Sequence, residues 1–110
     1  MDDQDTLAAV MARLQATIDA RRGADPKSSY TAGLLADSAR AAKKFGEEAV
    51  ETVIAAIQND PDALAAESAD LIYHWLVLLA AAGVAPDAVA AKLAAREGRS
   101  GLDEKASRPV

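Results

Sequence analysis

Two short stretches of this 110-residue chain carry acids at helical spacing. KKFGEEAVET holds Glu47, Glu48 and Glu51, and AESADLIYH holds Glu67, Asp70 and His74. At about 100° per residue, Glu48 and Glu51 stand only about 60° apart around a helix, as do Glu67 and Asp70. Each pair therefore offers two carboxylates on one face. Like charges at that spacing repel, and nothing basic lies between Glu47 and Glu51 to relieve them. Around Asp70 and His74 run Leu71, Ile72, Trp75, Leu76, Val77, Leu78 and Leu79, apolar nearly all round. That pattern predicts a buried helix, with Asp70 at or near the interior. A buried, isolated carboxylate is unfavourable unless it is paired or binds a cation. Two such helices packed antiparallel bring four or five acids into one cleft, and that cleft must be neutralised. The chain has no Cys, which leaves oxygen ligands and the single histidine, His74. An all-oxygen set selects a hard cation, and Mg²⁺ keeps several waters and accepts phosphate oxygens readily. The chemistry of such a site is phosphoryl transfer to water.

Blander explanations exist for each feature taken singly. A Glu pair on a helix is most often a solvated face. A lone His on an apolar helix is most often a hydrogen-bonded core residue, so His74 reads as support behind the ligands rather than as a ligand. Tyr73 and Trp75 read as core or subunit-interface residues.

The elements that must hold these residues are helices. Leu7, Val10, Met11, Leu14 and Ile18 recur at helical spacing, and Gly23 suits a helix end, predicting a first helix over Asp5 to Arg22. ADPKSS (Ala24 to Ser29) reads as a loop, and Tyr30 to Ala36 as a short helix weakened by Gly33. A long helix follows from Ser38 to Gln58, with Val50, Val53, Ile54 and Ile57 as its apolar set. Asp60 and Pro61 are the N-cap and first position of the next helix, which stops at Gly83. Pro86 opens a last helix that ends near Gly98, and the tail from Arg99 to Val110 shows no periodicity. The fold class is all-α: four to five helices in a single domain, with no strand.

Hydrophobic residues make up 51% of the chain, many of them Ala, and aromatics only 4%. Ala faces bury little area each, so packing against a second copy is expected. The net charge of −5 gives no general attraction to nucleic acid. The N-terminus is acidic where a secretion signal is basic, and the strongly apolar run Leu71 to Ala82 is shorter than the about 20 residues that span a bilayer. A cytoplasmic protein without membrane or nucleic-acid partners is the expectation.

The pattern Glu48-x-x-Glu51 with Glu67-x-x-Asp70 resembles the metal-binding signature of the all-α nucleoside triphosphate pyrophosphohydrolases, which include MazG-like enzymes and helical dUTPases. SSYTAGLL (Ser28 to Leu35), KKFGEEAVETVIAA (Lys43 to Ala56), ESADLIYHWLVLLA (Glu67 to Ala80) and REGRSGLDEKASR (Arg96 to Arg108) are similar to the phosphoribosyl-ATP pyrophosphatase family within that superfamily. Gly33 stands where that family often has a longer, basic residue. The resemblance implies a MazG-like helical bundle completed by dimerisation. It further implies Mg²⁺-dependent hydrolysis of phosphoribosyl-ATP to phosphoribosyl-AMP and pyrophosphate, the second step of histidine biosynthesis, in a homodimer. It implies Glu48, Glu51, Glu67 and Asp70 as metal ligands, with Glu47 as a further ligand or the base that orients water. Lys43 and Lys44 are expected to meet phosphate from one turn before the acids. Arg96, Arg99, Lys105 and Arg108 are expected to close over the polyphosphate as a mobile tail, with Ser100 in a turn that offers backbone N–H groups. The domain is often fused to the cyclohydrolase of the following step, so here a separate cyclohydrolase is expected. Two alternatives stand beside this reading: a MazG-like house-cleaning NTP pyrophosphatase, and a non-catalytic helical dimerisation module.

Overall fold

The computed structural model describes residues 3–101 and residue 105. Five α-helices follow a single 3-10 turn at Asp3–Asp5: α1 (Leu7–Ala20), α2 (Tyr30–Leu35), α3 (Ser38–Ile57), α4 (Pro61–Ala81) and α5 (Pro86–Ala94). There is no strand among the described residues. All five expected helices are present, although the last one stops at Ala94 rather than near Gly98. The expected irregular tail is corrected in part, because Gly101 and Lys105 have helical backbone.

Local chemistry explains the boundaries. Thr6, Ser29, Asp37 and Asp60 each cap a helix by accepting the backbone N–H of the residue three further on. Three of these caps went unread in the sequence, where only Asp60 stands next to an obvious Pro. At the end of α4, Gly83 takes φ of 75°, and the Val84 N–H reaches the Leu79 carbonyl at 2.9 Å while the Gly83 N–H reaches Ala80. This is the glycine-terminated cap that satisfies the last carbonyls of a helix.

The short turn at Gln58, Asn59 and Asp60 folds α3 back against α4, and this hairpin is the main contact of the structure. Thr52 clasps it: its hydroxyl lies 2.8 Å from the Glu48 carbonyl on its own helix and 3.3 Å from the Glu67 carbonyl on the other. The remaining face of α4 packs against α1 and α2. The core formed there consists of Ile18, Leu34, Ala41, Leu76 and Val77, with Met11, Leu14, Tyr73 and Trp75 packed around it. Arg22 adds a hydrogen bond of 3.0 Å to the Ala80 carbonyl.

One expectation from hydrophobic pattern is corrected. Asp70 is exposed, and the buried carboxylate is Glu48 on α3. The apolar girdle of α4 begins only after Asp70, while its N-terminal half opens into the cleft beside α3. On α3 itself, Ala41, Glu48 and Ala55 face inward, whereas Val50, Val53, Ile54 and Ile57 point outward at 47% to 74% exposure. As a whole, α4 is also long and apolar enough, by length and composition, to cross a bilayer. It nevertheless carries Asp62, Glu67, Asp70 and a buried His74, and it contacts three other helices. Those features fit the central helix of a bundle.

Leu34 is fully buried at the junction of α2 with the core. Leu34→Ala is expected to cost about 2–5 kcal/mol, the range for a buried Leu leaving a cavity. Urea unfolding followed by circular dichroism checks this.

Candidate active site

The α3–α4 hairpin lays the two acidic motifs side by side. One carboxylate oxygen each from Glu48, Glu67 and Asp70 can be chosen so that all lie within 4.8 Å of one another. Glu51 borders this trio and is the carboxylate that acts most strongly on both Glu48 and Glu67. One oxygen of Glu48 and one of Glu67 are buried with no hydrogen-bond partner among the described residues. Buried acceptors are normally satisfied, so two orphaned oxygens facing a third carboxylate mark a place that takes a positive charge.

Electrostatics agree with this geometry. Burial, and then the neighbouring Glu51, push the Glu48 carboxyl above the usual carboxylate range. Glu67 is raised for the same reasons in the same order, with Asp70 and Glu48 adding to the effect. A cluster that resists ionising on its own is stabilised by a cation held among its oxygens. The donors are all oxygens, which suits a hard divalent ion.

His74 stands behind the cluster rather than in it. It is buried, and its Nδ1 lies 2.9 Å from the Asp70 carbonyl oxygen. A carbonyl only accepts, so Nδ1 donates, and the other ring nitrogen, Nε2, hydrogen-bonds the Tyr30 hydroxyl at 3.2 Å. Both ring nitrogens are thus engaged, and Tyr73 packs edge-on against the ring at 4.8 Å between centroids.

Glu47 lies outside the trio. It forms an ion pair of 3.0 Å with Lys44, which holds its carboxyl below the usual range through the hydrogen bond first and charge second. Glu47 in turn raises Lys44. Lys43 is exposed on the same turn and adds to the lowering of Glu47. Arg96, Arg99 and Ser100 follow α5 on the exposed surface, and Lys105 is exposed as well. None of these is among the main charges acting on Glu47, Glu48 or Glu67. Arg108 lies outside the described residues. Sequence reasoning missed Tyr30, Thr52 and Arg40. Tyr30 holds His74, Thr52 clasps the hairpin, and the Arg40 guanidinium lies 5.8 Å from the centre of the Tyr30 ring. The Tyr in the SSYTAGLL motif was the one available signal.

A helical hairpin that gathers acids from both its arms around a centre that could hold a cation is a site type known from helical hydrolases. Comparison with known proteins narrows the class. Residues 11–97 match the family profile of phosphoribosyl-ATP pyrophosphohydrolase. A phosphoribosyl-ATP pyrophosphatase of Caulobacter sp. (strain K31) is 72% identical over 100 residues, covering 91% of this chain and 94% of that protein. The enzyme of the same name from Azospirillum brasilense is 59% identical over 102 residues, covering 92% of each chain. The chain belongs to the phosphoribosyl-ATP pyrophosphohydrolase family.

The raised Glu48 carboxyl makes a prediction about pH. Its folded form binds a proton more tightly than its unfolded form, so its ionisation destabilises the fold increasingly as pH rises from the ordinary carboxylate range through the raised value. In metal-free buffer, Glu48→Gln is expected to melt several degrees higher than the native chain near neutral pH. The gap should close as pH falls toward the ordinary carboxylate range. Thermal melts across a pH series in the presence of a chelator test this.

Proposed function

We propose that this protein hydrolyses phosphoribosyl-ATP to phosphoribosyl-AMP and pyrophosphate, the second step of histidine biosynthesis. The observation that carries the reading is the pair of orphaned, buried oxygens of Glu48 and Glu67 converging with Asp70 in a member of this family. Glu48, Glu67 and Asp70 would hold Mg²⁺, with Glu51 completing the set. Held there, such an ion would supply charge neutralisation for the polyphosphate and for the departing pyrophosphate. The bond broken is the anhydride between the α and β phosphates, and water supplies the atoms that cap the two products.

The chain's own residues do the rest. Glu47, ion-paired with Lys44, is the acid proposed to orient water by accepting its hydrogen bond. Lys44 and Lys43 stand one turn before the acids and meet the incoming phosphates. His74 keeps the backbone at Asp70 in place, with Tyr30 hydrogen-bonded to its other ring nitrogen. Arg96, Arg99, Ser100, Lys105 and Arg108 remain the proposed cover over the polyphosphate.

The outward stripe of Val50, Val53, Ile54 and Ile57 supports a homodimer. Four large aliphatic side chains in helical register on one face form the kind of patch a second copy covers. The buried apolar core within one chain is thin: of Ile18, Ala32, Leu34, Ala41, Ala55, Leu76 and Val77, three are Ala. The proposed setting is the cytoplasm, without membrane or nucleic-acid partners.

Purified protein with Mg²⁺ is expected to release pyrophosphate from phosphoribosyl-ATP in strong preference to ordinary and modified NTPs. Glu48→Gln and Asp70→Asn should each lower the rate at least about a hundred-fold. Mg²⁺ should raise the melting temperature of the native chain and not of Asp70→Asn. Turnover of NTPs alone would favour a MazG-like scavenger, and no release from any substrate would favour a non-catalytic helical module. For the dimer, Ile54→Glu is expected to elute as a monomer where the native chain elutes as a dimer, measured by size-exclusion chromatography with light scattering.

A further inference from the structure

We propose that Arg40, seated on the ring of Tyr30, selects substrates that carry a phosphate at the end remote from the departing pyrophosphate. This inference deepens the substrate reading above and rests on it. Phosphoribosyl-ATP bears a monoester phosphate on its second ribose that ATP lacks. A site that tells the two apart needs a cation outside the acidic cluster, at a distance from it.

Arg40 meets those conditions. It lies eight residues before Glu48 on α3, about 12 Å along the helix axis, and within about 20° of Glu47 and Glu51 around it. It therefore shares a stripe with Glu47 and Glu51, while Glu48 stands about 80° further around the helix and two turns away. Its side chain is exposed, and among the described residues no carboxylate pairs with it. Arg13 and Arg22 differ in this respect, since Asp5 and Asp19 respectively engage them. An Arg held over an aromatic face keeps its hydrogen-bond donors directed outward and gives up little freedom on binding an anion.

The ring beneath it is fixed. Tyr30 is half exposed, and its hydroxyl is tied to His74, whose other nitrogen bonds the Asp70 carbonyl. Arg40 is thus coupled by direct contacts to the backbone of the acidic cluster. Arg40 also lies against α2 at Gly33: a Cβ there would sit 3.6 Å from Arg40 Nη1, in ordinary contact. A longer side chain at position 33 would compete for that space. Beside Tyr30 opens a groove of about 480 Å³ lined by Arg21, Ser28, Ser29 and Thr31, which gives a sugar room next to the ring, and Arg40 meets the ring from outside that lining.

The test measures affinity for phosphoribosyl-AMP and for AMP by calorimetry, together with steady-state kinetics on phosphoribosyl-ATP, in the native enzyme, Arg40→Ala and Arg40→Lys. Arg40→Ala should weaken phosphoribosyl-AMP about ten- to a hundred-fold while leaving AMP unchanged, as expected for one lost charge-assisted contact. The KM for phosphoribosyl-ATP should rise by a similar factor with kcat nearly constant. Arg40→Lys should recover part of the loss, and melting temperatures should match the native value. Equal weakening of both nucleotides, a loss confined to kcat, or no loss at all would overturn the assignment. A native enzyme that discriminates phosphoribosyl-AMP from AMP, paired with an Arg40→Ala variant that still does, sinks the role of Arg40 alone. A native enzyme that does not discriminate sinks the substrate reading with it.

Discussion

Three carboxylates whose oxygens lie within 4.8 Å of one another in a partly buried cleft repel one another unless a positive charge sits among them. Much of the fold serves to keep them there despite their repulsion. The α3–α4 hairpin sets them at one level, the Thr52 hydroxyl clasps the two backbones beside them, and His74 ties down the Asp70 carbonyl from behind. Packing of α1 and α2 against the far side of α4 gives that hairpin a wall to rest on. The apolar core is the support, and the acidic cluster is the strained load it carries.

The arrangement also separates charge into zones. Glu48 and Glu67 are raised by burial and by each other's neighbours, whereas Glu47, one residue earlier on α3, is lowered by Lys44. Adjacent residues on a helix point about 100° apart, so consecutive glutamates can face a dry cleft and a solvated ion pair respectively. One acid is thereby prepared to hold a cation and the next to hold water, under the proposed reading.

Much of this was legible in the sequence. Helix number and order follow from periodicity and from Gly and Pro punctuation, and the acidic pairs follow from spacing. Burial was harder to read. The apolar run after Asp70 suggested that this acid was interior, yet Glu48 is the buried one, because the hairpin register and not the helix's own composition decides which acid meets the opposing backbone. The outward turn of Val50, Val53, Ile54 and Ile57 was equally hidden, since periodicity reveals a face but not what covers it. The Lys44–Glu47 pair was readable at its spacing of three and was not read. Contacts across the fold, such as Tyr30 with His74 and Arg40 over Tyr30, leave no trace in local pattern.

The shortness of the α3–α4 turn has a consequence for how the protein is made. All the acids of the cluster belong to one hairpin, so they converge through contacts local in sequence, which form early and fast. Under the proposed reading, a divalent ion would relieve their mutual repulsion as the hairpin closes, so its supply would bear on the yield of folded protein as well as on turnover.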